Sequence, residues 1–363
     1  MRYFDNLESK VQDKLFYKLP SEFNKDSQIG ILKHSLGGTL YVPATKEKFS
    51  DSIIYGKYKD IKTFIIDLED SIGDNSVKLG EEMFYENIRK IKKALKDELI
   101  NKNDLPLIFL RVRNYEQFKY IVDEIIEDID VLTGFVLPKA NEETLINYLE
   151  IIRNINEKKK VNIYAMPTLE CTRFAYTETR GKSLSHMVNH FMDYRDIILN
   201  VRIGVTDFSS IFGLRRKEDS SIYDINILKD IITDISNIML RTEHDFVVAG
   251  CVYEYYNFKE EDVVLKTFLK EIYSDKLNGL IGKTIIHPNQ AKYVQAISVV
   301  DYEDYMDAES IISSSKEICG AKGSFNKNRM NEVKPHMKWA EKIIKLSKVY
   351  GVYNRGESYR SLL

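Results

Sequence analysis

The sequence predicts a (β/α)8 barrel, that is, a TIM barrel with an N-terminal extension and a C-terminal helical segment. Three observations carry this. Eight short apolar, β-branched runs recur along the chain, Lys- and Glu-rich stretches of helical periodicity separate them, and charged residues close several of the runs. The runs are Thr39 to Val42, Thr63 to Ile66, Leu107 to Val112, Val131 to Leu137, Val161 to Leu169, Val201 to Val205, Phe246 to Val252 and Leu280 to Ile286. They begin roughly 25 to 45 residues apart, which leaves room for one helix and two loops per unit. Eight is the number a closed barrel needs. An open doubly wound sheet is the alternative, because closure is not readable from one sequence.

Taken in order, residues 1–34 form a polar, aromatic-containing extension with a helical pattern from Leu7 to Tyr17. Residues 35–300 form the barrel. Pro43, Pro138, Pro167 and Pro288 lie in or just after its runs, and Pro106 precedes one, where a residue without an N–H turns the chain without losing a ladder bond. Residues 301–363 form the C-terminal segment. It holds an acidic helix near Tyr302 to Ile312, a stretch from Gly320 to Asn326 whose glycines suit a mobile loop, and a last helix from about Met337 to Tyr350. Trp339, Ile343, Ile344 and Leu346 make a stripe on that helix that needs an apolar surface. The segment reads either as a lid hinged at Gly320 and Gly323 or as a cover for the bottom or side of its own barrel.

Composition bounds the function. With 44% hydrophobic and 30% charged residues the 363-residue chain folds into a compact body. Its 53 basic and 55 acidic residues give a formal charge of -2, so no net attraction to nucleic acid or to an anionic membrane is expected. Cys171, Cys251 and Cys319 are odd in number and far apart, which argues against a disulfide framework and against a Cys-based zinc motif. The first residues lack the apolar stretch of a signal peptide, and no apolar run approaches the ~20 residues of a membrane span. The expectation is a soluble protein of the cytoplasm.

The strand ends carry the chemistry. Asp67, Glu69 and Asp70 crowd the end of the second run, where three carboxylates stay ionised only beside a cation, an arginine or strong donors. The structural reading makes Asp70 or Ser71 a helix cap and leaves the other acids solvated. Arg111 and Arg113 alternate at the end of the third run, and a buried arginine needs a carboxylate or an anionic ligand. Lys139 closes the fourth run, Glu170 the fifth and Asp207 the sixth. Two carboxylates from different strands suit a hard divalent cation that keeps several waters. Against this, they would be partners of Arg111, Arg113 and Lys139. Charges of mixed sign at five strand ends favour a functional cluster.

This pattern resembles the citrate lyase beta subunit family, within the HpcH/HpaI aldolase superfamily of metal-dependent carbon–carbon lyases. The resemblance runs through Leu40-Tyr41-Val42-Pro43-Ala44-Thr45-Lys46, Asp67-Leu68-Glu69-Asp70, Arg111, Val136-Leu137-Pro138-Lys139, Glu170, Asp207 and the closing Gly282-Lys283-Thr284-Ile285-Ile286-His287-Pro288-Asn289-Gln290. In length and in its Tyr-rich segments the chain is similar to lyase-like barrels of tellurite-resistance and stress gene clusters. The resemblance implies Mg²⁺, or Mn²⁺, held by Glu170 and Asp207. It also implies a small carboxylate substrate bound by Lys46, Arg111 and Lys139, with Arg111, Glu69 and Asp70 serving catalysis, in a homo-oligomer. Lys46 stands where many members have arginine, which weakens bidentate anion binding. Cys171-Thr172-Arg173-Phe174 departs from the family after Glu170, and Glu332 is only near the place of an acid carried by a lid in some members that act on acyl-coenzyme A. The substrate is thus a free acid or a coenzyme A thioester. The expected reaction is cleavage or formation of a carbon–carbon bond through an enolate. The competing class is a non-catalytic barrel that binds a metabolite or a partner protein in a stress pathway.

Two motifs mislead. Gly279 to Thr284 mimics a phosphate-binding loop, but Leu277 replaces its first glycine and Ile285-Ile286-His287-Pro288 cannot open the required helix. His186 and His190 have zinc-protease spacing, yet Met187 stands where such a site needs Glu.

Overall fold

The computed structural model of the chain describes residues 1–259, 262–314 and 320–363. Seven strands form one curled parallel sheet: β1 (Gly38–Pro43), β2 (Thr63–Asp67), β3 (Leu107–Arg111), β4 (Gly134–Leu137), β5 (Tyr164–Leu169), β6 (Arg202–Ile203) and β7 (Lys283–Ile285). Their order is β6-β5-β4-β3-β2-β1-β7. The two ends of the sheet meet through residues 247–250. Val248 bridges Val201 on one side and Gly250 bridges Lys283 on the other, both parallel. The Val201 N–H donates to Val247 O at 2.8 Å and the Gly250 N–H to Gly282 O at 2.9 Å, which closes the ring.

The seventh expected strand, Phe246 to Val252, is therefore a stave held by single bridges. Gly250 explains part of this: a Cβ there would lie 2.4 Å from Asp275 Oδ2, so the backbone is pressed against the covering helix. The neighbouring β6 is also only two residues long, and Val205 opens a short helix, Val205–Ile211, instead of continuing the sheet.

A helix follows each stave: α1 (Phe49–Ile54), α2 (Val77–Lys96), α3 (Tyr115–Ile125), α4 (Leu145–Lys159), α5 (Thr177–Asp193), α6 (Asn226–Met239), α7 (Val263–Leu277) and α8 (Ala291–Ser298). Their apolar stripes account for the packing; α2 buries Phe84, Ile88 and Ile91 on one side. Asn114 caps α3 by accepting from the Gln117 N–H at 2.9 Å. Strand alternation sends Leu40, Val42, Phe64, Ile66, Ile108 and Leu110 outward to the helices. Ile65, Leu107, Phe109, Val136, Tyr164 and Met166 fill the lumen. Lys283, the lysine of the false phosphate loop, is buried on the outer side of β7. It pairs with Glu271 at 2.9 Å and Asp275 at 2.7 Å on α7.

The chain termini plug the N-terminal end of the barrel. Phe16–Lys18 pairs antiparallel with Val352–Tyr353. Met1, Tyr3, Phe16, Leu32, Val349, Tyr350 and Tyr353 continue the lumen core downward. Tyr3 Oη and Tyr350 Oη donate to Ser35 O and His34 O, each at 2.8 Å, just before β1. The helices α9 (Tyr302–Ser313) and α10 (Val333–Tyr350) pack on each other through Tyr305, Ile311, Ala340 and Ile343. The last helix thus ends beneath its own barrel, opposite the strand C-termini.

The stretch expected as a mobile loop is a hairpin, Ala321–Gly323 pairing with Met330–Glu332. Charge holds it: Arg329 reaches Asp304 at 2.8 Å and Asp307 at 2.7 Å, and the Phe325 N–H donates to Asp307 Oδ1 at 2.8 Å. Cys171 and Cys251 are free thiols. Cys319 lies outside the described residues. No described helix is long and apolar enough to cross a membrane.

If the C-terminal helix belongs to the barrel core, Tyr350→Ala should cost ~3–5 kcal/mol in a denaturant titration. A loss below about 1 kcal/mol would show the plug to be an appendage.

Candidate active site

Asp67 ends β2 and Arg111 ends β3, and the two are partners in register. Their side chains therefore leave the sheet side by side. Arg111 Nε donates to Asp67 Oδ1 at 2.6 Å and Nη2 to Oδ2 at 2.7 Å, a two-pronged pair. The same carboxylate accepts the backbone N–H groups of Glu69 at 3.0 Å and Ser71 at 3.1 Å, so it also folds the turn after β2. Burial pushes the Asp67 carboxyl up, but Arg111 and these donors outweigh it and hold the group below the usual carboxylate range.

That turn brings Glu69 and Asp70 to Arg111. Nη1 lies 2.8 Å from Glu69 Oε2 and 3.2 Å from Asp70 Oδ2. Asp70 is more than half exposed, whereas Glu69 is buried. The contact to Glu69 Oε2 lacks the alignment of a hydrogen bond, so this buried oxygen has no aligned donor. Its other oxygen pairs with the Lys139 ammonium. Burial raises the Glu69 carboxyl, and Arg111 and Lys139 only partly oppose it.

Lys139 follows β4 with φ +49°, a left-handed conformation that a side chain adopts only under constraint. The constraint is visible: its backbone N–H donates to Glu170 Oε1 at 2.6 Å, while its ammonium sits between Glu69 and Asp207, 3.7 Å from Asp207 Oδ1. Glu170, just past β5, is buried. Burial first, then the charges of Asp207 and Glu69, push its carboxyl up to about 8. Gly204 makes this position accessible. A Cβ there would fall 2.1 Å from Glu170 Oε2 and 2.6 Å from Glu170 Cβ. Asp207, in the short helix that follows Gly204, is partly exposed.

The structure thus brings together Glu69, Asp70, Arg111, Lys139, Glu170 and Asp207. Lys46 lies apart, exposed, with its ammonium 5.7 Å from the centre of the Tyr58 ring. Arg113 turns to Asp74 at 2.6 Å. Sequence reasoning did not single out Asp67 as the clamp of Arg111, Tyr41, whose ring lies 5.1 Å from the guanidinium, or Arg202. For Arg202 a signal existed, an arginine inside an otherwise apolar strand run.

Among the described residues no three acidic, His or Cys side chains converge to cage an ion. Two crowded carboxylates, one buried and raised by burial and by its acidic neighbours, fit a hard cation that keeps most of its waters, as Mg²⁺ does. A cavity of about 750 Å³ lies at the other end of the barrel, against Lys62 and Pro106, which precede β2 and β3.

The family model described as C-C_Bond_Lyase of the TIM-Barrel fold matches residues 30–352. A solved structure of CitE from Mycobacterium tuberculosis, in complex with magnesium, acetoacetate and coenzyme A, superposes with a TM-score of 0.54 at 15% identity. It covers 87% of this chain and 99% of its own. The M. tuberculosis citrate lyase beta subunit with oxaloacetate and magnesium gives 0.47 at 13% identity, covering 72% and 96%. RipC from Yersinia pestis gives 0.46 at 14% identity, covering 72% and 94%. At such identities these likenesses concern the fold. No curated protein matches the sequence significantly.

Gly204→Ala should displace Glu170 without unfolding the barrel, weakening Mg²⁺ binding by about tenfold or more at unchanged circular dichroism. Unaltered Mg²⁺ affinity would disconnect Glu170 from the cation.

Proposed function

The chain belongs to the C-C_Bond_Lyase family of the TIM-barrel fold, and from that premise we propose that it is a Mg²⁺-dependent lyase cleaving a carbon–carbon bond beside a carboxylated carbonyl. One observation carries the reading. A buried Glu170, its carboxyl raised by burial and by Asp207 and Glu69, stands at the strand ends near an arginine fixed by its own carboxylate. Carboxylates arranged so unfavourably for one another suit a bound cation better than a solvated surface.

Glu170 and Asp207 would hold the cation, with water completing its shell. When bound, the ion supplies positive charge to the oxygens of a 2-oxo or hydroxy acid. Arg111 is oriented for the developing enolate oxygen. Asp67 occupies Nε and Nη2, which leaves the Nη1 edge, lying on Glu69 and Asp70, to turn toward substrate. Glu69 is the candidate for moving a proton: it is buried, its carboxyl is raised, and one oxygen lacks an aligned donor. Lys139 neutralises Glu69 and Asp207 and would shift toward a substrate carboxylate when a cation enters. Asp70, at the solvent edge, is placed to order water. The likeness to a CitE structure holding acetoacetate and coenzyme A keeps both free acids and thioesters among the compounds to be tried.

The test is turnover of 2-hydroxy and 3-hydroxy acids, free and as coenzyme A thioesters, with and without Mg²⁺ or Mn²⁺. Cation-dependent release of a 2-oxo acid or acetyl group is expected; silence across the panel would favour a binding barrel. Glu170→Gln and Asp207→Asn should each weaken Mg²⁺ binding strongly in calorimetry while the barrel stays folded. Arg111→Lys keeps the charge but loses the fork, and should lower turnover by about 10²-fold with metal affinity little changed. A wild-type rate in that variant would remove Arg111 from the reaction.

A further inference from the structure

Arg202 is the largest fully buried side chain among the described residues, and it has no carboxylate partner there. It leaves β6 and crosses the lumen. Nη2 donates to Thr284 Oγ1 of β7 at 2.5 Å, and the guanidinium lies 5.6 Å from the centre of the Tyr41 ring of β1. Nε and Nη1 have no hydrogen-bond partner. Neither do Thr168 Oγ1 and both amide atoms of Asn200, all of them buried. Polar atoms in this number, orphaned within a barrel core, are strongly unfavourable unless something binds them.

Their place gives them a use. Arg202 pairs in register with Thr168, two residues before Glu170 on one strand and before Gly204 on the other. Arg202 and Thr168 therefore lie one layer below the carboxylate pair, and Asn200, two residues before Arg202, lies lower still. Tyr41 is shared: Arg111 approaches the same ring at 5.1 Å, so the two guanidiniums flank a common aromatic surface. A purely mechanical role, tying the seam beside the weak stave, would use the N–H groups on the seam, and only the bond to Thr284 does so.

We infer that Arg202, with Thr168, forms a second oxyanion pocket, which receives the distal carboxylate of a dicarboxylic substrate whose other end lies at Glu170 and Asp207. The inference rests on the proposed lyase reading and narrows its substrate class. Monocarboxylates fill only the upper layer, and dicarboxylates of sufficient length fill both.

Calorimetry on the full chain in Mg²⁺ tests this with succinate, butyrate and 3-phosphonopropionate as probes. Succinate should bind at least about tenfold more tightly than butyrate, and more tightly than the phosphonate. Arg202→Met should abolish the succinate preference while butyrate stays within about twofold, and Arg202→Lys should keep part of it. Without ligand, Arg202→Met should melt at or above the wild type, since it removes an unpaired buried charge. A preference that survives in Arg202→Met, or stronger binding of the phosphonate, would overturn the carboxylate assignment. So would a melting point lowered by more than about 5 °C, which would mark Arg202 as a seam tie. Turnover separates this inference from its premise. If no acid is cleaved but the succinate preference depends on Arg202, the lyase reading fails and the pocket stands; if an acid is cleaved and the preference ignores Arg202, the pocket fails alone.

Discussion

The two-pronged bond between Arg111 and Asp67 is the constraint on which the charged end of this barrel depends. Both groups are largely withdrawn from water, so neither is tolerable alone, and each fixes the other's rotamer. Because Asp67 also accepts two backbone N–H groups, the pair dictates the turn that delivers Glu69 and Asp70. Glu69 then holds the Lys139 ammonium, and the Lys139 backbone holds Glu170. A chain of charges thus runs across the C-termini of β2, β3, β4 and β5, each member oriented by its neighbour. Low local polarity strengthens every link and raises the cost of breaking one.

The charged cluster and the apolar plug lie at opposite ends of the barrel. The lumen core passes downward into a plug made from both termini, where Tyr3, Tyr350 and Tyr353 are fully buried. The upper end carries the cluster of Asp67, Glu69, Asp70, Arg111, Lys139, Glu170 and Asp207. This division lets the strand ends hold mutually repelling carboxylates, since the cost is met by apolar packing well away from the site.

Much of this was legible in the sequence, for physical reasons. Apolar runs flanked by amphipathic stretches locate seven strands and one stave, because burial on two faces demands such runs whatever the neighbours are. Charges at the ends of those runs located Glu69, Asp70, Arg111, Lys139, Glu170 and Asp207, which the fold brings together. What was hidden depends on contacts between distant segments. Phe246 to Val252 reads as a strand, but Gly250 lies against Asp275 of a later helix. Gly320 to Asn326 reads as a mobile loop, yet carboxylates on the preceding helix fasten it through Arg329 and the Phe325 N–H. Arg202 shows in sequence as an arginine inside an apolar run, but its lack of a carboxylate partner does not, and Gly204 gives no sign in sequence that Glu170 will lie against it.

On the proposed reading, the buried Glu170 carboxyl gives up its proton when a cation binds. Mg²⁺ titration by calorimetry, repeated at pH 7 in buffers of different ionisation enthalpy, measures that exchange directly. With the Glu170 carboxyl raised to about 8, binding should release protons at pH 7, with the release falling as pH rises past that value and absent in Glu170→Gln. Binding without proton release at pH 7, or release unchanged by Glu170→Gln, would contradict the account.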